Sequence, residues 1–170
     1  MAASLWAIFA LTGTHLPRSG RLGTVSLALL VLALLLVPAS AAGARQRPRQ
    51  LPFGQWVAFN AGLAGTFDAQ GLFKFTSEKR VVLRVTDAFC RGDRYRVLDH
   101  GHRKGTTSRV AVDSSCTRLP FASTGPEAWN EPGYSRIRLV LPPGHHRIRI
   151  RSLRSPFGSS TGFLSVHRLG

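Results

Sequence analysis

Acidic residues are what this chain has least of. Eight Asp and Glu stand against 23 Lys and Arg, a formal net charge of +15, and 20 of those 23 are arginine. With so few carboxylates, most basic side chains have no acidic partner to pair with. The imbalance fits an anionic partner such as an acidic polysaccharide, an anionic lipid surface or a nucleic acid. It fits equally an arginine-biased composition spread over a solvated surface, since the arginines lie throughout the chain.

Also missing is an apolar run long enough to cross a bilayer comfortably, which takes about 20 residues. The longest runs from Val25 to Val37, follows Arg18 and Arg21, and ends at Pro38. Ala39-Ser40-Ala41 then supplies the small-x-small pattern of a cleavage site. Residues 1–41 are therefore predicted to be a secretory signal peptide, and the mature chain to be secreted and extracellular. The alternative is an uncleaved signal anchor that keeps the protein on a membrane. Arg45, Arg47 and Arg49 put positive charge on the far side as well, so charge does not decide orientation. Export argues against a nucleic acid as partner.

Cysteine is nearly absent. Cys90 and Cys116 are the only two, and in an exported chain they are predicted to form a disulfide. It would close a loop of about 26 residues and contribute roughly 3 kcal/mol. Catalytic signatures are missing too. There is no Gly-x-Ser-x-Gly elbow, Walker loop, Ser-His-Asp order or paired-carboxylate motif, so the chain reads as non-catalytic and no cofactor is expected.

Helical periodicity is the last absence. After residue 42 no stretch repeats every 3.6 residues, which excludes a helical bundle. Residues 42–52, rich in Arg, Pro and Gln, read as a disordered basic arm. From residue 53 to 170 short alternating segments recur between turn residues. The candidate strands are 55–59, 72–75, 80–87, 95–99, 105–112, 134–141, 146–153 and 162–166, with a possible short strand at 119–121. This pattern predicts an all-β domain: an antiparallel, jelly-roll-like β-sandwich of about eight strands.

The last long hairpin suggests a binding face. Pairing Leu141 with His146 sets Leu139 opposite Ile148 and Ile137 opposite Ile150, all inward. The outer face then carries Arg136, Arg138, Arg147, Arg149 and Arg151, with like charges opposed. Acidic residues on a neighbouring strand, solvent screening or a bound anion would offset the repulsion, and the anion reading points to an anionic polysaccharide or cell-wall glycan. Trp129, on a polar loop, either stacks on a sugar ring or folds back over the sandwich edge. Trp56 is expected in the core, and Phe157 and Phe163 at one end of it.

Two metal readings stand beside plainer ones. Asp87 and Asp93, with Asp99, could offer oxygens to calcium. Their spacing fits no EF-hand loop, and Asp in turns commonly bonds nearby backbone. His100 and His102, with His145 and His146, could make a zinc site if their turns met. Otherwise they are solvated turn residues.

One stretch carries a resemblance. Thr86-Asp87-Ala88-Phe89-Cys90-Arg91-Gly92-Asp93-Arg94-Tyr95 is followed by the turn Asp99-His100-Gly101, by Gly105-Thr106-Thr107-Ser108, and by Cys116. Leu141-Pro142-Pro143-Gly144-His145-His146 and Pro156-Phe157-Gly158 with Gly162-Phe163 complete the set. This series resembles a group of secreted fungal proteins, and related patterns occur in bacterial exported proteins with sorting tails. The likeness covers roughly residues 53 to 168. It implies a secreted β-sandwich and assigns no activity. Two departures are His100, where Asn is usual, and the arginine-rich surface. Together these readings predict a secreted, non-catalytic module that binds an anionic or carbohydrate surface. The alternative is a structural or effector-type domain that binds protein, with incidental charge; a third reading, ranked below both, is a cryptic glycan hydrolase with carboxylates brought together by folding.

Overall fold

A computed structural model describes residues 47–69, 71–112, 116 and 121–169. The predicted signal peptide, residues 42–46 of the arm and most of the short strand at 119–121 lie outside the described residues. Among the described residues nine strands and one short helix follow in order. They are β1 (Arg49–Gln50), β2 (Trp56–Asn60), β3 (Phe73–Ser77), β4 (Val81–Asp87), β5 (Arg94–Asp99) and β6 (His102–Thr106), then α1 (Gly125–Asn130), β7 (Arg136–Leu141), β8 (Gly144–Arg154) and β9 (Thr161–Arg168). Among the described residues no helix is long and apolar enough to cross a membrane.

The strands form two sheets. One runs β1-β3-β8-β5-β6 and the other β2-β9-β4-β7. The antiparallel pairs β2–β9, β3–β8, β4–β7 and β5–β6 are nested, each inside the last. A long hairpin rolled up on itself gives this nesting, which is the jelly roll, so the expected fold is observed. β1 adds to β3 in parallel.

Alternation puts the core between the sheets. Phe73, Phe75, Tyr95, Val97, Ile148 and Ile150 point in from one sheet; Phe59, Val81, Leu83, Val85, Leu164 and Val166 from the other. Burying a side chain of this size contributes about 1.5–3 kcal/mol. Leu51 is also fully buried there. The sandwich therefore begins by Arg49 rather than at residue 53, because the one leucine in the polar arm draws the chain onto the core and β1 onto β3.

Only the innermost ribbon pair, β5–β6, is a two-residue hairpin. His100 and Gly101 have φ of 51° and 82°, the left-handed pair that a tight turn of this hand needs. β6 therefore starts at His102, earlier than the 105–112 that the sequence suggests.

The predicted pairing of the strands around Pro142-Pro143 is corrected. β7 belongs to one sheet and β8 to the other. The prolines carry no N–H for a ladder, and the chain crosses between sheets there. The alternating pattern misled because facing strands across a core show the same inward apolar set as neighbours within a sheet.

Helix α1 was not expected. Its signature is Thr124-Gly125-Pro126-Glu127, a capping box. The Thr124 hydroxyl accepts from the Glu127 amide at 3.4 Å, and the Glu127 carboxylate accepts from the Thr124 amide at 3.1 Å.

Candidate functional site

The five arginines assigned to one face are split by the crossing at Pro142-Pro143. Arg147, Arg149 and Arg151 lie on β8 in the five-stranded sheet, while Arg136 and Arg138 lie on β7 in the other. On the five-stranded sheet the β8 arginines meet basic residues of neighbouring strands. Lys74 of β3 is opposite Arg147, and Arg96 of β5 is opposite Arg151. Leu98 separates Arg149 from Arg103 of β6, and Arg94 shares the outward side of β5. Arg154 of β8 is opposite Arg94, so this outer face carries Lys74, Arg94, Arg96, Arg103, Arg147, Arg149, Arg151 and Arg154. None of them makes an ion pair among the described residues.

Like charges directly opposed in a ladder destabilise it, and the relief found here is neutral. The Arg149 guanidinium lies 4.0 Å above the Phe67 ring, with Arg151 at 5.5 Å. Arg151 Nε donates to the Gly65 carbonyl at 3.0 Å. Arg96 Nε is buried without a hydrogen-bond partner. Sequence reasoning missed Lys74, Arg103 and Phe67 as members of this face. Their alternation is visible, but the order β3-β8-β5-β6 that joins them is not.

The other face uses its arginines differently. Arg138 is opposite Arg84 of β4. Trp129 of α1 folds back over this sheet, 5.9 Å from the Trp56 ring. Arg84 sits 5.3 Å and Arg136 6.0 Å from the Trp129 ring, and Arg136 also donates to the Trp129 carbonyl. Trp129 is thus a half-buried clamp between helix and sheet. Trp56, expected in the core, instead lies outward beneath α1, where the missing side chain of Gly125 makes room for it. Of the two predicted end-caps, Phe163 packs with Phe89 whereas Phe157 is exposed.

Asp87 and Asp93 form a buried centre before β5. Asp87 accepts from the amides of Ala88 (2.8 Å), Gly92 (3.1 Å) and Asp93 (3.2 Å), as its turn context suggested. Burial, then the charge of Asp93, pushes its carboxyl up to about 9 against three opposing amides; burial pushes Asp93 up to about 7. The two titrate together, so the pair keeps at least one proton at pH 7. Tyr95 has one hydroxyl proton and two neighbours, the Thr161 carbonyl at 2.9 Å and Asp93 Oδ2 at 3.1 Å. The Tyr95 hydroxyl is shared between these two acceptors. Cys90 and Cys116 form the predicted disulfide beside this turn, with Cα atoms 4.8 Å apart.

Asp99 forms a second centre after β5. His146 Nδ1 lies 2.8 Å from Asp99 Oδ2, and its Nε2 3.0 Å from the Pro142 carbonyl. Both partners only accept, so both ring nitrogens carry protons and His146 is an imidazolium. Its ring stacks on Phe75 at 4.7 Å. Asp99 Oδ1 accepts from the Arg147 amide at 2.9 Å and meets His100 Nδ1 at 2.9 Å. Burial alone would raise the Asp99 carboxyl. The His146 hydrogen bond, the Arg147 amide and the charges of His146 and His100 outweigh it and hold the carboxyl below its usual range. The two histidine turns thus do meet, through Asp99. Among the described residues no group of three or more His, Cys, Asp or Glu is placed to hold a metal. The Asp–His pair resembles half of a catalytic triad, but Nε2, the nitrogen that would serve a nucleophile, is already bonded.

No protein-family model matches the chain, and no curated protein matches it in sequence. Similar solved structures include the pre-peptidase C-terminal domain of a collagenase from Bacillus anthracis. It has a TM-score of 0.38 and 11% identity, over 71% of this chain and 95% of that one. The catalytic domain of a GH87 α-1,3-glucanase in complex with nigerose aligns with a TM-score of 0.31 and 18% identity, over 66% of this chain and 22% of that one. Likenesses this distant carry no inference about activity or ligand. The fold rests on the strand pairing itself.

Proposed function

We propose that this protein is a secreted, non-catalytic β-sandwich module that binds an acidic polysaccharide of a cell wall or extracellular surface. The binding surface is the outer face of the five-stranded sheet. One observation carries the reading: eight basic side chains share that face, three opposed pairs (Lys74–Arg147, Arg96–Arg151 and Arg94–Arg154) among them, with no ion pair to any among the described residues. A polyanion laid across the strands would replace that repulsion with charge-assisted hydrogen bonds, for which arginine is well suited. The disulfide fits an oxidising compartment. The non-catalytic part rests on the engaged His146 ring and on the near-complete burial of Asp87 and Asp93.

Retention on immobilised heparin tests the reading. The protein should be held at low salt and elute as salt approaches physiological strength, because exposed charges are screened. Arg149→Glu should elute markedly earlier, whereas Arg138→Glu, on the opposite face, should elute close to wild type. Equal shifts for the two variants, or none, would overturn the assignment. Tighter, salt-matched binding to single-stranded nucleic acid would point to a different polyanion. The protein-binding alternative has its own support, since Arg149 and Arg151 are engaged with Phe67 and Gly65. It expects a partner whose binding is insensitive to salt.

A further inference from the structure

The basic face is not uniform. At its β1 end it holds a groove of about 390 Å³, a size in the range of small-molecule sites. Pro48 and Gln50 flank it on one side, His145 and Arg147 on the other, with Lys74 and Thr76 between. The strand registers place three of these side chains in one row. Gln50 of β1 is opposite Lys74 of β3, and Lys74 is opposite Arg147 of β8. An amide, an ammonium and a guanidinium thus stand on three adjacent strands, spaced about 4.8 Å apart. In the next row Thr76 is opposite His145, and the Thr76 hydroxyl and His145 Nδ1 lie 2.8 Å apart, which fixes the imidazole.

The row is held from beneath. Asp99 Oδ1 takes the Arg147 amide, and His146 balances the Asp99 charge. Among the described residues no carboxylate lines the groove, so its field is cationic.

We propose that the row Gln50–Lys74–Arg147 is the recognition subsite for a sulfate ester on the bound polysaccharide. Three donors on three strands match a group with three terminal oxygens spread about a tetrahedral centre. A carboxylate offers only two oxygens, both in one plane, so three donors must share them. Arginines farther along β8 and β5 then contact the rest of the chain through charge alone. The inference rests on the polyanion reading above and narrows it from acidic polysaccharides in general to sulfated ones.

Three probes test it: a sulfated heparin disaccharide, the same disaccharide with its sulfates removed but its uronate kept, and inorganic sulfate. Binding is followed by NMR shifts, including the Gln50 side-chain amide. The sulfated disaccharide should bind at least about tenfold more tightly than the desulfated one. It should move Gln50, Thr76 and His145, and inorganic sulfate should move the same signals at higher concentration. Lys74→Gln with Arg147→Gln should weaken the sulfated disaccharide about tenfold. Arg96→Gln with Arg151→Gln should change it less while still reducing heparin retention. Equal affinity for the two disaccharides, or shifts confined to the Arg96–Arg151 end, would overturn the subsite. If wild type is not retained on heparin at all, the polyanion reading fails first. If retention persists but the Lys74/Arg147 variant binds the disaccharide like wild type, only the subsite falls.

Discussion

The two ends of β5 pose the same problem and solve it in opposite ways. Each has a nearly buried aspartate, Asp93 at 3% and Asp99 at 5% exposure. At the Asp93 end the neighbours are another carboxylate, a tyrosine hydroxyl and the backbone, and both carboxyls are pushed up. At the Asp99 end the neighbour is an imidazolium, and the carboxyl is held down. Exposure is nearly equal, so exposure alone does not set the direction: at Asp93 desolvation prevails, and at Asp99 the His146 hydrogen bond and the Arg147 amide outweigh it. One end is kept by sharing a proton, the other by an ion pair.

Breaking the ion pair should have the largest effect. Asp99→Ala leaves the His146 imidazolium buried and uncompensated, which should cost about 3–5 kcal/mol in denaturant unfolding. Adding His146→Phe removes the stranded charge and keeps the stack on Phe75. The double variant should therefore be more stable than Asp99→Ala alone, with a coupling energy well above about 0.5 kcal/mol. Additive losses would mean that His146 is not charged.

At the other end Asp87→Ala withdraws the acceptor from the Ala88, Gly92 and Asp93 amides. The expected loss is about 1–3 kcal/mol, smaller because no full charge is stranded. A loss equal to that of Asp99→Ala would erase the contrast between the two ends.

The same contrast explains what the sequence could and could not reveal. The strands were legible because Val81, Leu83 and Val85, or Ile148 and Ile150, alternate with polar residues, and alternation is a local property. The sheet to which each strand belongs is not local, and so β7 and β8 were paired with each other. The motif that carries the resemblance proves to be scaffold. Asp87, Gly92, Asp93 and Tyr95 build one end, and Asp99, Gly101 and His146 build the other. Gly105 has no room for a side chain beside Ile137, and Thr107 Oγ1 accepts the Tyr95 amide at 3.0 Å. Asp99 and His146 are 47 residues apart, and nothing in either neighbourhood announces the other. Individual basic residues of the candidate face were legible as outward strand positions. Their assembly was not, because it depends on β8 lying between β3 and β5.

The finest test of the contrast is pH, because the two ends must respond with opposite sign. Asp99 has a lowered carboxyl, so its contribution is present above the unfolded value near 3.8 and is lost as pH falls through its folded value. The Asp87–Asp93 pair has raised carboxyls, so the folded state binds more protons than the unfolded chain. Its contribution is complete below about 3.8 and is lost as pH rises through about 7 and about 9. Asn at position 93 keeps an oxygen that can accept from the Tyr95 hydroxyl and cannot ionise. Asp93→Asn should therefore match wild type only below about pH 4 and gain on it as pH rises to about 7, by on the order of 1 kcal/mol per pH unit. Denaturant midpoints at about pH 4, 5 and 7 measure this. Parallel profiles for the two proteins would show that no proton is held at this end, and the two aspartates would then differ only in their hydrogen bonds.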